Sequence, residues 1–182
     1  TKALSIQPNF ADAHNNMGIV LRDQNKSGEA IDFFRKALIL QPDDTKAFNN
    51  MGVAYQDQGK IEEATEAFTK ALYLKPYYVE AHLNLSSIKQ YTFKDKQFLQ
   101  VQELYKQKDL SGDARCKLSF ALAKMYEDIR ELDLAFSHLS EGNALRKKLL
   151  GYSISQDKEY FTNLKKTQPR LLSSLQQIKE SS

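Results

Sequence analysis

A period of 34 residues governs this sequence. Lys2-Ala3-Leu4, Lys36-Ala37-Leu38 and Lys70-Ala71-Leu72 stand 34 residues apart, and so do Pro8, Pro42 and Pro76. Ala13-His14-Asn15-Asn16-Met17-Gly18 returns as Ala47-Phe48-Asn49-Asn50-Met51-Gly52. A weaker copy follows as Ala81-His82-Leu83-Asn84-Leu85-Ser86. A chain that repeats at this interval stacks small units, none of which can bury its apolar face alone.

Each unit reads as two helices. The first runs from about Ala11 to Gln24, with Ala13, Met17, Ile19/Val20 and Leu21 at helical spacing. The second runs from about Ser27 to Leu40, with Ala30, Phe34, Ala37 and Leu38 on one side. Asn25 and Gly59 fall at the turn between paired helices, and both residue types accept the left-handed conformation that closes a helix. Pro42 and Pro76 separate the units, because proline cannot continue a helix. Gly18, Gly52, Ala30 and Ala64 let helices approach, and Phe34 and Phe68 fill the space left between them.

Composition agrees. Only 7 Gly and 4 Pro occur in 182 residues, too few for a turn-rich β-sandwich or barrel. A hydrophobic content of 41% excludes global disorder. No apolar run approaches the ~18 residues of a membrane span, and no signal peptide is expected. The net charge of +3 is too small to imply nucleic acid, and the single cysteine, Cys116, cannot build a disulfide framework. A reducing, cytoplasmic location is expected, with neither membrane nor nucleic acid as partner.

The spacing resembles the tetratricopeptide repeat (TPR), whose pattern is W-x2-L-G-x2-Y, then A-x3-F, then P. His14, Met17, Gly18, Leu21, Ala30, Phe34 and Pro42 stand at those places in one copy. Phe48, Met51, Gly52, Tyr55, Ala64, Phe68 and Pro76 stand there in the next, and no copy has the tryptophan. The resemblance implies an all-α, right-handed superhelix (an α-solenoid) of stacked antiparallel helix pairs, ending in a capping helical segment. The expected units are the end of a truncated repeat at 1–8, repeats at 11–42 and 45–76, a degenerate unit at 79–110, a fourth at 113–150 and capping helices at 155–182. A chain that begins inside a repeat reads as a piece of a longer protein. Loss of the preceding repeat would expose an apolar face and favour a homodimer through it.

The pattern decays in unit three, where Phe98, Gln102 and Tyr105 take the Ala, Phe and Ala places. Register returns when Asp57 and Ala64 are matched by Asp128 and Ala135, 71 residues on, so about three residues are inserted. The irregular link is expected near Gly112. Two segments, Leu118 to Asp128 and Glu141-Gly142-Asn143-Ala144-Leu145-Arg146, resemble the TPR region preceding the catalytic domain of bacterial TPR–sulfotransferase proteins. No phosphate-binding G-x-x-x-x-G-K-[ST] loop is present, so any such activity would belong to a domain outside this chain. Units one and two also resemble the TPR arm of O-linked N-acetylglucosamine transferases, through Asn just before the hydrophobic-Gly pair.

Asn16, Asn50 and Asn84 are the leading candidates for function. First helices line the concave groove in TPR arrays, and a carboxamide both donates and accepts. Such a ladder would pair with the backbone of an extended peptide, as the transferase resemblance implies. The alternatives are that these amides are solvated or bond to the adjacent helix. Asn15, Asn49, Arg22, Lys46 and Asp57 are expected beside them in the groove. A Lys/Arg/Asn clamp for a C-terminal carboxylate finds only Asn50 in place. His14 and His82 replace the repeat's Trp, which points to packing rather than metal binding. No metal, cofactor or catalytic residue is expected, and the partner is an extended peptide or protein segment.

Overall fold

The computed structural model describes residues 10–151, and the expected segments 1–8 and 155–182 lie outside the described residues. The described chain is entirely helical: α1 (Ala11–Asp23), α2 (Ser27–Leu40), α3 (Thr45–Asp57), α4 (Ile61–Leu74), α5 (Val79–Ile88), α6 (Lys96–Tyr105), α7 (Gly112–Asp128) and α8 (Leu132–Leu149). Pairs α1/α2, α3/α4 and α7/α8 pack against each other, and each second helix packs on the next first helix. First helices also pack side by side, α1 on α3, α3 on α5 and α5 on α7. Second helices α2 and α4 make no comparable approach, so the stack is tighter on the first-helix side and curves toward it.

Packing explains the periodic glycines. A Cβ placed on Gly18 would lie 2.5 Å from the Phe34 ring, and one on Gly52 would lie 2.6 Å from the Phe68 ring. Both phenylalanines are fully buried, among Ala30, Ala54, Ala64, Tyr55 and Leu85. Only glycine lets the backbone of the first helix rest on that ring. The intra-pair turns also share a conformation. Asn25 (φ 61°), Gly59 (φ 71°) and Arg130 (φ 66°) are left-handed at equivalent places. The first two suit Asn and Gly, whereas Arg carries a Cβ penalty there.

Unit three differs because its small residues are gone. Phe98, Val101 and Leu104 of α6 are buried, and α5 and α6 do not pack closely as a pair. α6 keeps the contact that every second helix makes with the next first helix, here α7, with Tyr91, Leu118, Leu122 and Met125 completing a second core. Tyr91 is held there by donating to Gln97 Oε1 at 2.7 Å. The irregular link expected near Gly112 lies at 106–111, longer than the 75–78 link between α4 and α5. α7 is also longer, a 17-residue helix where α3 has 13, and Gly112 opens it behind the Ser111 cap.

Candidate functional site

The concave face is built from α1, α3, α5 and α7, and two bonds of identical register cross it. Asn50 Nδ2 donates to Asn15 Oδ1 at 3.1 Å, and Asn84 Nδ2 donates to Asn49 Oδ1 at 3.0 Å, each spanning 35 positions. Asn15 and Asn49 are 7% and 6% exposed. This corrects their place in the expected groove: they lie between helices and orient the amides in front of them. Asn50 and Asn84 are half-buried and Asn16 is exposed. An amide has two N–H donors and a twofold acceptor oxygen. Asn50 and Asn84 therefore keep one N–H and the oxygen after the inter-repeat bond is made. Bonding to the adjacent helix and facing the groove, set out above as alternatives, are compatible in one side chain.

The relay stops at unit four. At an offset of 71 residues, Asn49 and Asn50 correspond to Phe120 and Ala121 of α7. Phe120 serves packing, since a Cβ on Gly142 would approach its ring to 3.1 Å and the Arg146 guanidinium sits 5.3 Å from its centre. Of the remaining expected residues, Arg22 pairs with Asp23 at 3.1 Å, Lys46 is exposed, and Asp57 is exposed and accepts from Ser27 Oγ at 3.5 Å. Gln56 Nε2 donates to Ser87 Oγ at 3.2 Å.

The histidines behave as packing residues with polar anchors. His82 is fully buried, and its Nε2 lies 2.8 Å from the Pro76 carbonyl, tying α5 to the turn before it. Burial holds its pKa below the usual value, despite the opposing carbonyl contact. His138 stacks on Tyr126, with centroids 5.4 Å apart and planes 6° apart, and meets the edge of Tyr105 at 4.9 Å. Its pKa too is lowered, first by burial. Cys116 is buried against the Gly142 carbonyl, and burial raises its thiol pKa. Among the described residues no group of three or more His, Cys, Asp or Glu could hold a metal ion.

Residue-type reasoning missed the lock between α6, α7 and α8. Glu141 accepts from Arg115 Nε at 2.7 Å, from Ser119 Oγ at 3.1 Å and from Tyr105 Oη, while Arg115 Nη2 donates to Tyr105 Oη at 2.9 Å. Burial alone would raise the Glu141 pKa, but its three donors outweigh that and hold it down. The signal was a large Tyr105 where the repeat asks for alanine. Arg115 lies in the added first turn of α7, which no repeat pattern describes.

The tetratricopeptide repeat family matches residues 11–44 and 45–78, so these two segments are tetratricopeptide repeats. No curated protein sequence matches the chain. Several solved structures share its fold. MamA is 19% identical, covering 83% of this chain and 86% of its own, with a TM-score of 0.60. YrrB, described as a TPR protein with an unusual peptide-binding site, is 23% identical over 79% of this chain and 73% of its own, with a TM-score of 0.55. Pseudomonas aeruginosa PilF is 24% identical over 88% and 70%, with a TM-score of 0.53. At these identities the likeness establishes an α-solenoid of the TPR type. No helix among the described residues is long and apolar enough to cross a membrane.

Proposed function

We propose that this chain is a non-catalytic peptide-binding module. Its concave groove holds an extended segment of a partner protein by the segment's backbone, through Asn16, Asn50 and Asn84. The observation that carries this reading is the repeated Asn50–Asn15 and Asn84–Asn49 bond, which fixes two half-buried amides in one orientation at one register. Each presents an acceptor and a remaining donor, the complement of a peptide unit. Neighbouring helices pack 8–10 Å apart, a step that about three residues of extended chain span. YrrB, a neighbour in fold, is itself described as having a peptide-binding site.

The test is a random-peptide library screened against this chain and its Asn16→Ala variant. Asn16 is exposed, so its truncation leaves the fold intact while removing one rung. Broad binding, weakened in Asn16→Ala at unchanged stability, is expected. Asn50→Ala is a poorer probe, because it strips the donor from buried Asn15 Oδ1 and costs about 1–3 kcal/mol of stability. A folded chain that retains no library peptide refutes the reading.

A second reading makes the chain an accessory domain, for substrate positioning or dimerisation, N-terminal to a sulfotransferase domain. It is favoured by the segments Leu118 to Asp128 and Glu141 to Arg146. In the fold, Glu141 and Gly142 serve the contact between α7 and α8. Sequence of the parent gene beyond Ser182 that encoded no sulfotransferase domain would remove this reading.

A further inference from the structure

The charges along the groove divide it into a closed half and an open half. In the closed half, Lys117 Nζ lies 2.6 Å from both Glu80 Oε1 and Asp113 Oδ2. Lys124 pairs with Asp128, whose second oxygen accepts from the Tyr91 N–H at 3.3 Å. In the open half, Asp12 and Lys46 are exposed and make no side-chain bond or ion pair among the described residues. Asp57 has no ion pair there either, only the 3.5 Å contact from Ser27.

Sequence register makes this a difference between equivalent places. Asp12, Lys46, Glu80 and Lys117 hold one position on four successive first helices, so the row alternates in sign. The last two neutralise each other and the first two do not. On α3, Lys46, Asn50, Val53 and Asp57 follow helical one-face spacing, so both charges flank the same amide. At 1.5 Å per residue, Lys46 lies about 6 Å to one side of Asn50 and Asp57 about 10 Å to the other. Asp12 and Lys46 also open onto a polar pocket of about 310 Å³, with Asp43, Lys75 and Tyr78 in its wall.

We propose that repeats one and two, and not the whole groove, are the seat of the partner. The partner is an extended segment of mixed charge, with an acidic side chain against Lys46 and a basic one against Asp57. This rests on the groove reading above. Side chains of an extended strand alternate between its two sides, so the acid and the base stand at an odd separation, one or three residues apart.

The probes are two fluorescent twelve-residue peptides of identical composition in a neutral background. One carries Glu and Lys three residues apart, and the other carries them two apart. Anisotropy titration is expected to favour the odd spacing about three- to tenfold, the range that one or two exposed ion pairs supply. Lys46→Glu should abolish the preference, and replacing the peptide's Glu by Lys should restore affinity in that variant. Lys46 is an exposed first-turn residue whose side chain makes no bond among the described residues, so the variant is expected to fold, which its circular dichroism melt checks. Equal binding of both peptides, indifferent to Lys46→Glu, overturns the charge inference and leaves the backbone reading standing. Failure of these peptides and of the random library together overturns both.

Discussion

Substituting Gly52 by alanine tests whether the repeat's glycine is there for packing. In an exposed helix interior, Gly→Ala gains about 1 kcal/mol from backbone entropy and helix propensity. At Gly52 the new methyl carbon would lie 2.6–3.0 Å from three carbons of the Phe68 ring. Carbon pairs are comfortable at ~3.5–4.0 Å, so the ring or the helix must move by close to 1 Å. Phe68 is fully buried and cannot swing into solvent. Overpacking of this kind costs about 1–3 kcal/mol, so against the gain Gly52→Ala is expected to be net destabilising by up to about 2 kcal/mol. At 2–4 °C per kcal/mol for a chain of this size, the melting midpoint should fall by up to roughly 8 °C. Gly28→Ala is the internal control. Its Cβ would meet only the far end of the Gln58 side chain at 3.2 Å, so that substitution should stabilise by about 0.4–1 kcal/mol. Circular dichroism melts of the two variants should therefore move in opposite directions. Adding Phe68→Leu to Gly52→Ala should cost less than the sum of the single changes, with a coupling of about 0.5–3 kcal/mol. A Gly52→Ala variant that gains stability like Gly28→Ala, or that shows no coupling to Phe68, would refute the packing argument.

Two further outcomes follow from strained or buried groups. Arg130→Gly removes a Cβ penalty of about 1–2 kcal/mol at φ 66°, partly offset by greater unfolded-state entropy, so a gain of up to about 1 kcal/mol is expected in urea denaturation; a loss would mean that the arginine side chain itself matters. Stability should fall as pH drops below the ordinary histidine value of 6.5. Burial depresses the folded pKa of His82 and His138, so their neutral forms contribute stability above the unfolded value, and that contribution is lost as pH falls through the folded one. A second loss should begin below the ordinary carboxylate value near 4.5, as the depressed Glu141 is protonated. In His138→Phe the slope of the first phase should shrink, and an unchanged slope would reject the assignment.

The solenoid was legible because one fact, the 34-residue period, was written in residues with separate physical jobs. Gly18 and Gly52 mark helix contact, Phe34 and Phe68 fill the contact, and Asn25 and Gly59 mark the left-handed turn. Those requirements are local and repeat exactly, so a pattern finds them. The candidate site was legible only in part. Asn16, Asn50 and Asn84 stood out by spacing, but Asn15 and Asn49 looked like equal members of the groove. A one-residue step along a helix turns a side chain by 100°, and here that step moves it from the more exposed positions of Asn16 and Asn50 into the interface between helices, where Asn15 and Asn49 are buried. The Tyr105–Arg115–Glu141 lock was hidden for another reason. Its members come from three helices at unrelated spacings, and they meet where α6 and α8 both pack on α7.

The missing α5/α6 pair links the loss of repeat pattern to the division of the groove. Large residues stand at the small-residue places of α6, which does not pair closely with α5 and is held on α7 by Phe98, which meets Tyr126 edge-on at 5.2 Å. Gln102 adds a bond to the Tyr126 hydroxyl at 3.0 Å. With α5 lacking its own close partner helix, its position depends on neighbours across the groove face. The ion pair from Lys117 to Glu80, the Asp128 bond to the Tyr91 N–H and the His82 anchor to Pro76 supply that support. The polar groups that close the C-terminal half of the groove are thus structural replacements for a lost helix pair. Repeats one and two keep their pairs, and the bonds across their inner face are uncharged ones, from Asn50 to Asn15, Asn84 to Asn49 and Gln56 to Ser87. Under the proposed reading, it is their exposed charges and the remaining amide groups that meet the partner.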